Sequence, residues 1–72
     1  VSVEQKEASA ILVMRCMLVN LSEENRTPFE QELLEFAESK TYGDLFDYET
    51  RIWAEGPDYL RGLYEEEKKV NS

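Results

Sequence analysis

The feature that most constrains this chain is an apolar segment over residues 8–21, which contains neither Gly nor Pro and only three polar residues. Ser2 and Gln5, ahead of it, have the spacing of a capping box, in which two side chains satisfy the free backbone amides at a helix N-terminus. The residues between the capping box and the apolar segment are good helix formers. The sequence therefore predicts a long first helix over residues 3–21.

This first helix carries two apolar stripes. At about 100° per residue, one stripe, flanked by Ile11 and Leu18, contains Val3, Ala10, Met14, Met17 and Leu21. The other stripe contains Ala8, Leu12, Cys16 and Val19. The 51 residues after residue 21 can cover one stripe but hardly both. Because exposed apolar patches mark interfaces and homodimers are the commonest assembly, we expect the second stripe to mediate self-association. The alternatives are a central helix wrapped by its own chain and a helix shared with a different protein.

The sharpest local signal further along the chain predicts a second helix. Thr27 is a good N-cap residue, Pro28 suits the first helical position, and Glu30 can complete a capping box. We therefore expect the substitution Thr27→Ala to cost about 1 kcal/mol of stability. The apolar residues of this helix recur at helical spacing, so the opposite side is expected to face solvent with Glu32, Glu35 and Glu38.

Two further helices are predicted beyond a break around Gly43. Leu45, Tyr48 and Ile52 give a third helical stripe, and Gly56-Pro57 separates it from a fourth. The predicted fold class is all-α: a small helical bundle of one long helix and three shorter helices, completed by dimerisation. The chain is expected to form a single helical domain, with helices over residues 3–21, 28–40, 44–54 and 57–69.

Charge is distributed unevenly along the chain. Eight Lys and Arg face sixteen Asp and Glu, which gives a net charge of -8 without any His. Residues 1–21 sum to zero, so the rest of the chain carries the whole excess. Nucleic acids and anionic membranes bind clustered Lys and Arg, and we therefore expect neither as a direct partner. A basic protein is the expected partner of the acidic surface, and its candidate contact residues are Glu35, Glu38, Asp44, Asp47 and Glu49.

Most catalytic chemistries are excluded by composition. Without His and with one Cys, the chain cannot form Cys/His zinc sites or Ser-His and Cys-His nucleophile pairs. We expect no enzyme activity, no cofactor and no metal site. One alternative is a Mg²⁺-dependent carboxylate enzyme, because Glu35 with Glu38 and Glu55 with Asp58 match the acid spacing of all-α nucleotide pyrophosphatases. Gly56-Pro57 lies inside the second pair and argues against the helix that this geometry requires.

The remaining signals concern location and function. Cys16 is the only cysteine and cannot form an internal disulfide, and the first residues lack the basic region of a signal peptide, so a cytoplasmic location is expected. The apolar segment is shorter than the roughly 20 residues of a membrane span. Arg15, which lies between the stripes, is expected either to extend to solvent or to pair with a carboxylate.

The function that these patterns favour is a non-enzymatic protein–protein interaction module, such as an adaptor, an inhibitor or a small regulatory subunit. An alternative is an acidic inhibitor or nucleic-acid mimic that binds a basic protein, as phage inhibitors and antitoxins do. The dense acidic composition of residues 22–72 is the basis of that alternative.

Overall fold

A computed structural model describes residues 2–71 of the chain. These residues form four α-helices and no β-strand, which confirms the all-α fold class. The helices are α1 (Val3–Asn25), α2 (Phe29–Ala37), α3 (Lys40–Leu45) and α4 (Pro57–Asn71). Two single 3₁₀ turns, Tyr48–Thr50 and Ile52–Ala54, lie between α3 and α4.

The N-terminus of α1 confirms the predicted capping box. The Ser2 hydroxyl accepts a hydrogen bond from the Gln5 amide at 3.2 Å, and the Gln5 side chain accepts one from the Ser2 amide at 3.1 Å. The helix continues beyond the predicted end at Leu21 because no helix breaker occurs before Asn25. It ends where Arg26 adopts a left-handed conformation, with φ of 53°, just ahead of a Thr-Pro step that disfavours helix.

The start of α2 differs from the prediction. Pro28, not Thr27, occupies the N-cap position, and no side chain caps the helix. The Thr27 hydroxyl instead donates a hydrogen bond backwards to the Asn25 carbonyl at 3.2 Å. The prediction that Thr27 is the N-cap is therefore wrong, and its expected cost on substitution does not apply.

The end of α2 and the start of α3 are both determined by Ser39. Its hydroxyl donates to the Phe36 carbonyl at 2.5 Å and accepts from the Tyr42 amide at 3.1 Å. Ser39 is extended and forms the N-cap of α3, so α2 ends at Ala37 instead of reaching Lys40. The predicted break around Gly43 is wrong, because Gly43 lies inside α3.

The helix predicted over residues 44–54 is wrong as well. α3 ends at Leu45, and the two 3₁₀ turns follow in place of a continuous helix. Thr50 helps to interrupt the helix, because its hydroxyl bonds the Asp44 carbonyl at 2.9 Å in competition with the backbone ladder. Arg51 then adopts a left-handed conformation between the turns, with φ of 61°.

The core lies between α1, α2, the second 3₁₀ turn and α4, with α3 packed against α2 and α4. The Phe36 ring is edge-on to Tyr64, with ring centroids 5.0 Å apart, a favourable geometry for aromatic pairs. Full burial of one such apolar side chain stabilises a fold by about 1.5–3 kcal/mol. The largest fully buried side chains are Phe36, Met17, Leu18, Leu45 and Leu60.

The N-terminus of α3 is also capped by a side chain of α4. The Glu67 carboxylate accepts hydrogen bonds from the Lys40 amide at 2.9 Å and from the Thr41 amide at 2.8 Å. The Thr41 hydroxyl adds a third at 2.5 Å. That hydroxyl, followed by the two backbone amides, lowers the pKa of Glu67 below its usual value. A carboxylate is well placed there because the first turn of a helix leaves amides unpaired.

Ion pairs on the surface connect α4 to the end of α1. Arg61 of α4 bonds the Glu24 carboxylate through both terminal nitrogens, one of them at 2.8 Å. Its third nitrogen contacts Glu65 at 3.2 Å. The hydrogen bond from Arg61 lowers the pKa of Glu24. The Glu24 side chain is 54% exposed, so this pair contributes little to stability, in line with exposed ion pairs generally.

Candidate interaction surface

The second apolar stripe of α1 faces solvent. Leu12 is 62% exposed and Val19 is 43% exposed, whereas Leu18 on the opposite side of the same helix is fully buried. Ala8 and Cys16 are exposed too. We call the surface formed by Ala8, Leu12, Cys16 and Val19 the outer face of α1.

The first stripe of α1 packs against the rest of the chain. Ala10, Met17, Leu18 and Leu21 are buried, and Met14 is half-buried. Two residues assigned to this side from their spacing are exposed: Val3, at the N-terminal end of the helix, and Ile11, which lies at the flank of the outer face. The downstream helices thus cover most of one stripe and leave the other exposed.

A shallow groove of about 570 Å³ runs along the outer face. Pro57, at the start of α4, also lines it, as do the polar residues Arg15 and Asn20. Arg15 is exposed and forms no ion pair with residues 2–71, so it does not pair with a carboxylate of α2 or α3. Cys16 lies in the groove as a free, exposed thiol.

The five acidic residues predicted to bind a partner are not gathered into one site. Glu35 and Glu38 border a groove of about 370 Å³, and Asp44 borders a neighbouring one of about 340 Å³. Asp47 and Glu49 border a third groove of about 630 Å³. Asp47 also has a local structural task, because its carboxylate accepts the Glu49 amide at 3.2 Å and caps the first 3₁₀ turn.

Each of these three grooves also contains a cation. Lys68 lies with Glu35 and Glu38, Lys40 lies with Asp44, and the third groove contains Lys6 and Arg51. Lys68 contacts the Tyr64 ring at 4.5 Å, and Lys6 contacts the Trp53 ring at 5.7 Å. The grooves therefore have mixed charge and do not form a surface of one sign.

Glu32 is buried, so the prediction that it faces solvent is wrong. It is only 2% exposed, although it was expected to face solvent with Glu35 and Glu38. One carboxylate oxygen accepts a hydrogen bond from the Asn25 side chain at 3.2 Å, and the other has no partner within residues 2–71. Its spacing from Phe36, four residues on, places both on the same side of α2 and could have indicated burial.

The pKa of Tyr64 is raised mainly by burial of its ring. Burial of the ring, followed by the charges of Glu35, Glu32 and Glu67, raises the pKa of Tyr64 to about 12. Tyr64 is therefore neutral at physiological pH and packs as an aromatic core residue.

The geometry of the alternative Mg²⁺ site differs from that of paired helical carboxylates. Glu55 is extended and lies outside α4, so it does not share a helix face with Asp58. Across the described part of the chain, no group of three or more Asp, Glu, Cys or His could hold a metal ion. Among the same residues, none of the helices has the length and apolarity needed to cross a membrane.

Comparison with protein-family models, with curated proteins and with solved structures gives no match for this chain.

Proposed function

We propose that this chain is a non-enzymatic protein–protein interaction module and that its contact surface is the outer face of α1. The observation that supports the proposal is the exposure of Leu12 and Val19 on a helix whose other side contains the buried residues Ala10, Met17, Leu18 and Leu21. A chain this small gains stability from every apolar side chain that it buries. An apolar stripe that stays in water is typical of a surface that another protein covers.

The groove beside the stripe supports a helical or extended protein segment as the ligand. Its lining combines the apolar residues Leu12, Val19 and Pro57 with Cys16 and with the polar residues Arg15 and Asn20. An apolar centre with a polar rim is the usual anatomy of protein interfaces. An amphipathic segment that lies along α1 can bury the stripe and reach Arg15 with a carboxylate or a carbonyl group.

The experiment compares two double variants that add the same charge at exposed apolar positions. Leu12→Glu/Val19→Glu disrupts the outer face, and Leu34→Glu/Val70→Glu changes α2 and α4, where Leu34 is 68% and Val70 is 77% exposed. Tagged chains are cross-linked in the source cells and the attached proteins are identified. We expect the outer-face variant to lose the attached protein and the control variant to keep it. If both variants keep it, the contact surface lies elsewhere.

A second candidate function is the capture of a basic protein by exposed acidic side chains of residues 29–71. Glu35, Glu38 and Glu49 favour it, because all three are exposed and their carboxylates form no ion pair with residues 2–71. An acidic field speeds the approach of a cationic partner, and salt screens that field over about 8 Å. The association rate of such a partner should fall as salt rises from about 50 to 500 mM, and Glu35→Gln/Glu38→Gln should lower it further. A rate independent of salt would assign the acids to solubility alone.

A further inference from the structure

The outer face of α1 requires an occupant that is apolar and that does not bring further acids to a chain of net charge -8. On the basis of the proposed function, we propose that this occupant is the outer face of α1 in a second copy of the chain. The two helices pack antiparallel about a two-fold axis that passes close to Leu12, so that Leu12 meets its symmetry equivalent. Ala8 of each copy then lies against Cys16 of the other.

The spacing of the stripe supports this arrangement. Ala8 and Cys16 lie four residues before and four residues after Leu12, and all three are exposed on one side of α1. A two-fold axis at Leu12 that reverses the helix direction places each position i opposite position 24−i of the partner. Small residues therefore meet small residues on both sides of a central Leu pair. Such an order lets helix backbones approach closely around a single large contact, and it is self-complementary, as a two-fold interface must be.

Charge also favours a second copy. No Asp or Glu occurs between Glu7 and Glu23, and Arg15 is the one charged residue in that span. Over residues 22–72, which carry the whole excess of negative charge, two copies would meet mostly with like charges, which disfavours association. The outer face is therefore a surface whose centre, between Glu7 and Glu23, holds no carboxylate of either molecule.

The area of the face determines how tightly two copies can bind. A standard interface takes about 800 Å² from each partner, roughly a sixth of the 5039 Å² surface of this chain. Residues 3–21 overlap in the proposed register, over a helix length of about 28 Å. Half of the helix circumference over that length gives roughly 500 Å² per copy. The pair is thus smaller than a standard interface, and we expect a dissociation constant between about 10 µM and 1 mM.

The first measurement is the mass in solution by sedimentation equilibrium, from about 1 µM to 2 mM. The mass should rise with concentration from 8.4 kDa towards twice that value. A constant monomer mass over the whole range would refute the proposal.

Charge complementation at Leu12 tests whether the two Leu12 residues meet. Leu12→Glu and Leu12→Lys should each weaken self-association at least about tenfold, because like charges then face each other across the axis. An equimolar mixture of the two variants should associate within about threefold of the wild type. Leu34→Glu is the control on α2 and should leave the association constant unchanged. A mixture that associates no better than either variant alone would overturn the contact. Leu12 is 62% exposed, so these variants should keep the fold, and circular dichroism verifies it.

Cysteine pairing tests the antiparallel direction. In the proposed register the two Cys16 residues are eight positions apart along the pair, about 12 Å, which is beyond the 7 Å limit between Cα atoms for a disulfide. Diamide should therefore cross-link the variant Ala8→Cys much faster than the wild type, because the introduced thiol of one copy lies against Cys16 of the other. Rapid cross-linking of the wild type through Cys16 alone would place the two Cys16 residues side by side, as in a parallel pair or in an antiparallel pair centred on Cys16, and would refute the proposed register.

Failure of this inference is distinguishable from failure of the proposed function. If the chain is a monomer at every concentration while the outer-face double variant loses a cross-linked protein in cells, a different protein occupies the outer face. If that variant loses nothing in cells and self-association is absent as well, the outer face is not a contact surface.

Discussion

α1 and the segment over residues 39–56 obtain their capping hydrogen bonds from very different distances along the chain. The first turn of α1 is satisfied by Ser2 and Gln5, which are three residues apart. The first turn of α3 also uses the carboxylate of Glu67, 27 residues beyond Lys40. A helix whose cap is local forms part of its structure on its own, whereas the short helix α3 depends on α4 being in place. Isolated helices as short as α3 are unstable in water.

The largest expected effect on stability concerns Leu45, the fully buried residue of the 39–56 segment. Leu45 is fully buried, so Leu45→Ala should lower the free energy of unfolding by about 2–5 kcal/mol, because it leaves a cavity. Leu12→Ala, on the exposed side of α1, should change the stability of the monomer by less than about 0.5 kcal/mol. Urea melts at micromolar concentration measure both values. Equal losses for the two variants would mean that Leu12 is buried in the monomer.

The next effect concerns the remote cap of α3. Glu67→Gln should lower the free energy of unfolding by about 1–2 kcal/mol at neutral pH, because the amide replaces a charged acceptor of three hydrogen bonds. Glu66→Gln removes the same charge from an exposed neighbour and is the matched control, with little expected effect. If Glu66→Gln costs as much as Glu67→Gln, net charge and not the cap is responsible.

The contribution of Glu67 should depend on pH. Because its pKa is lower in the folded chain, its contribution is present above the unfolded pKa of about 4.3 and is lost as pH falls through the folded value. The wild type and Glu67→Gln should therefore differ at pH 7 and converge in acid. Thermal melts of both chains over about pH 2–7 measure the convergence. A difference that persists unchanged in acid would contradict the capping role.

A smaller effect separates the true N-cap from the predicted one. Ser39→Ala should cost about 1 kcal/mol, because the Ser39 hydroxyl accepts the Tyr42 amide. Thr27→Ala should cost only a few tenths of a kcal/mol, since its hydroxyl donates to a carbonyl at the end of α1 and caps no helix. Chemical denaturation of the two variants should rank them in this order, and the opposite order would restore Thr27 as the cap of α2.

The smallest effect is a gain in stability at Gly43, inside α3. Gly43 has no positive φ, and a methyl group there would meet no other atom within 4 Å. Gly43→Ala should therefore stabilise the chain by about 0.5–1 kcal/mol through a lower entropy of the unfolded state. The melting temperature should rise by several degrees. A decrease would indicate that α3 needs the flexibility of Gly43 to reach Glu67.

Much of the fold could be predicted from residues that lie close together in the sequence. The capping box at Ser2 and the Gly56-Pro57 step correctly placed the starts of α1 and α4. The exposure of Leu12 follows from the same reasoning, because two stripes on one helix cannot both be covered by so short a chain. The acidic character of Glu32 predicted exposure to solvent, but its four-residue spacing from the buried Phe36 is the better guide to its position.

The sequence by itself determined the helical class, the long first helix and its surplus of apolar surface, because periodicity and N-terminal capping act between residues three or four apart. The tertiary structure decided the path of residues 39–56. Leu45 and Ile52 have helical spacing, yet both reach the core along a bent path made of α3 and two 3₁₀ turns. The physical reason is that Glu67 and the Thr50 hydroxyl satisfy backbone groups that would have been paired within a continuous helix. Residue spacing within one segment does not predict a hydrogen bond that comes from another helix.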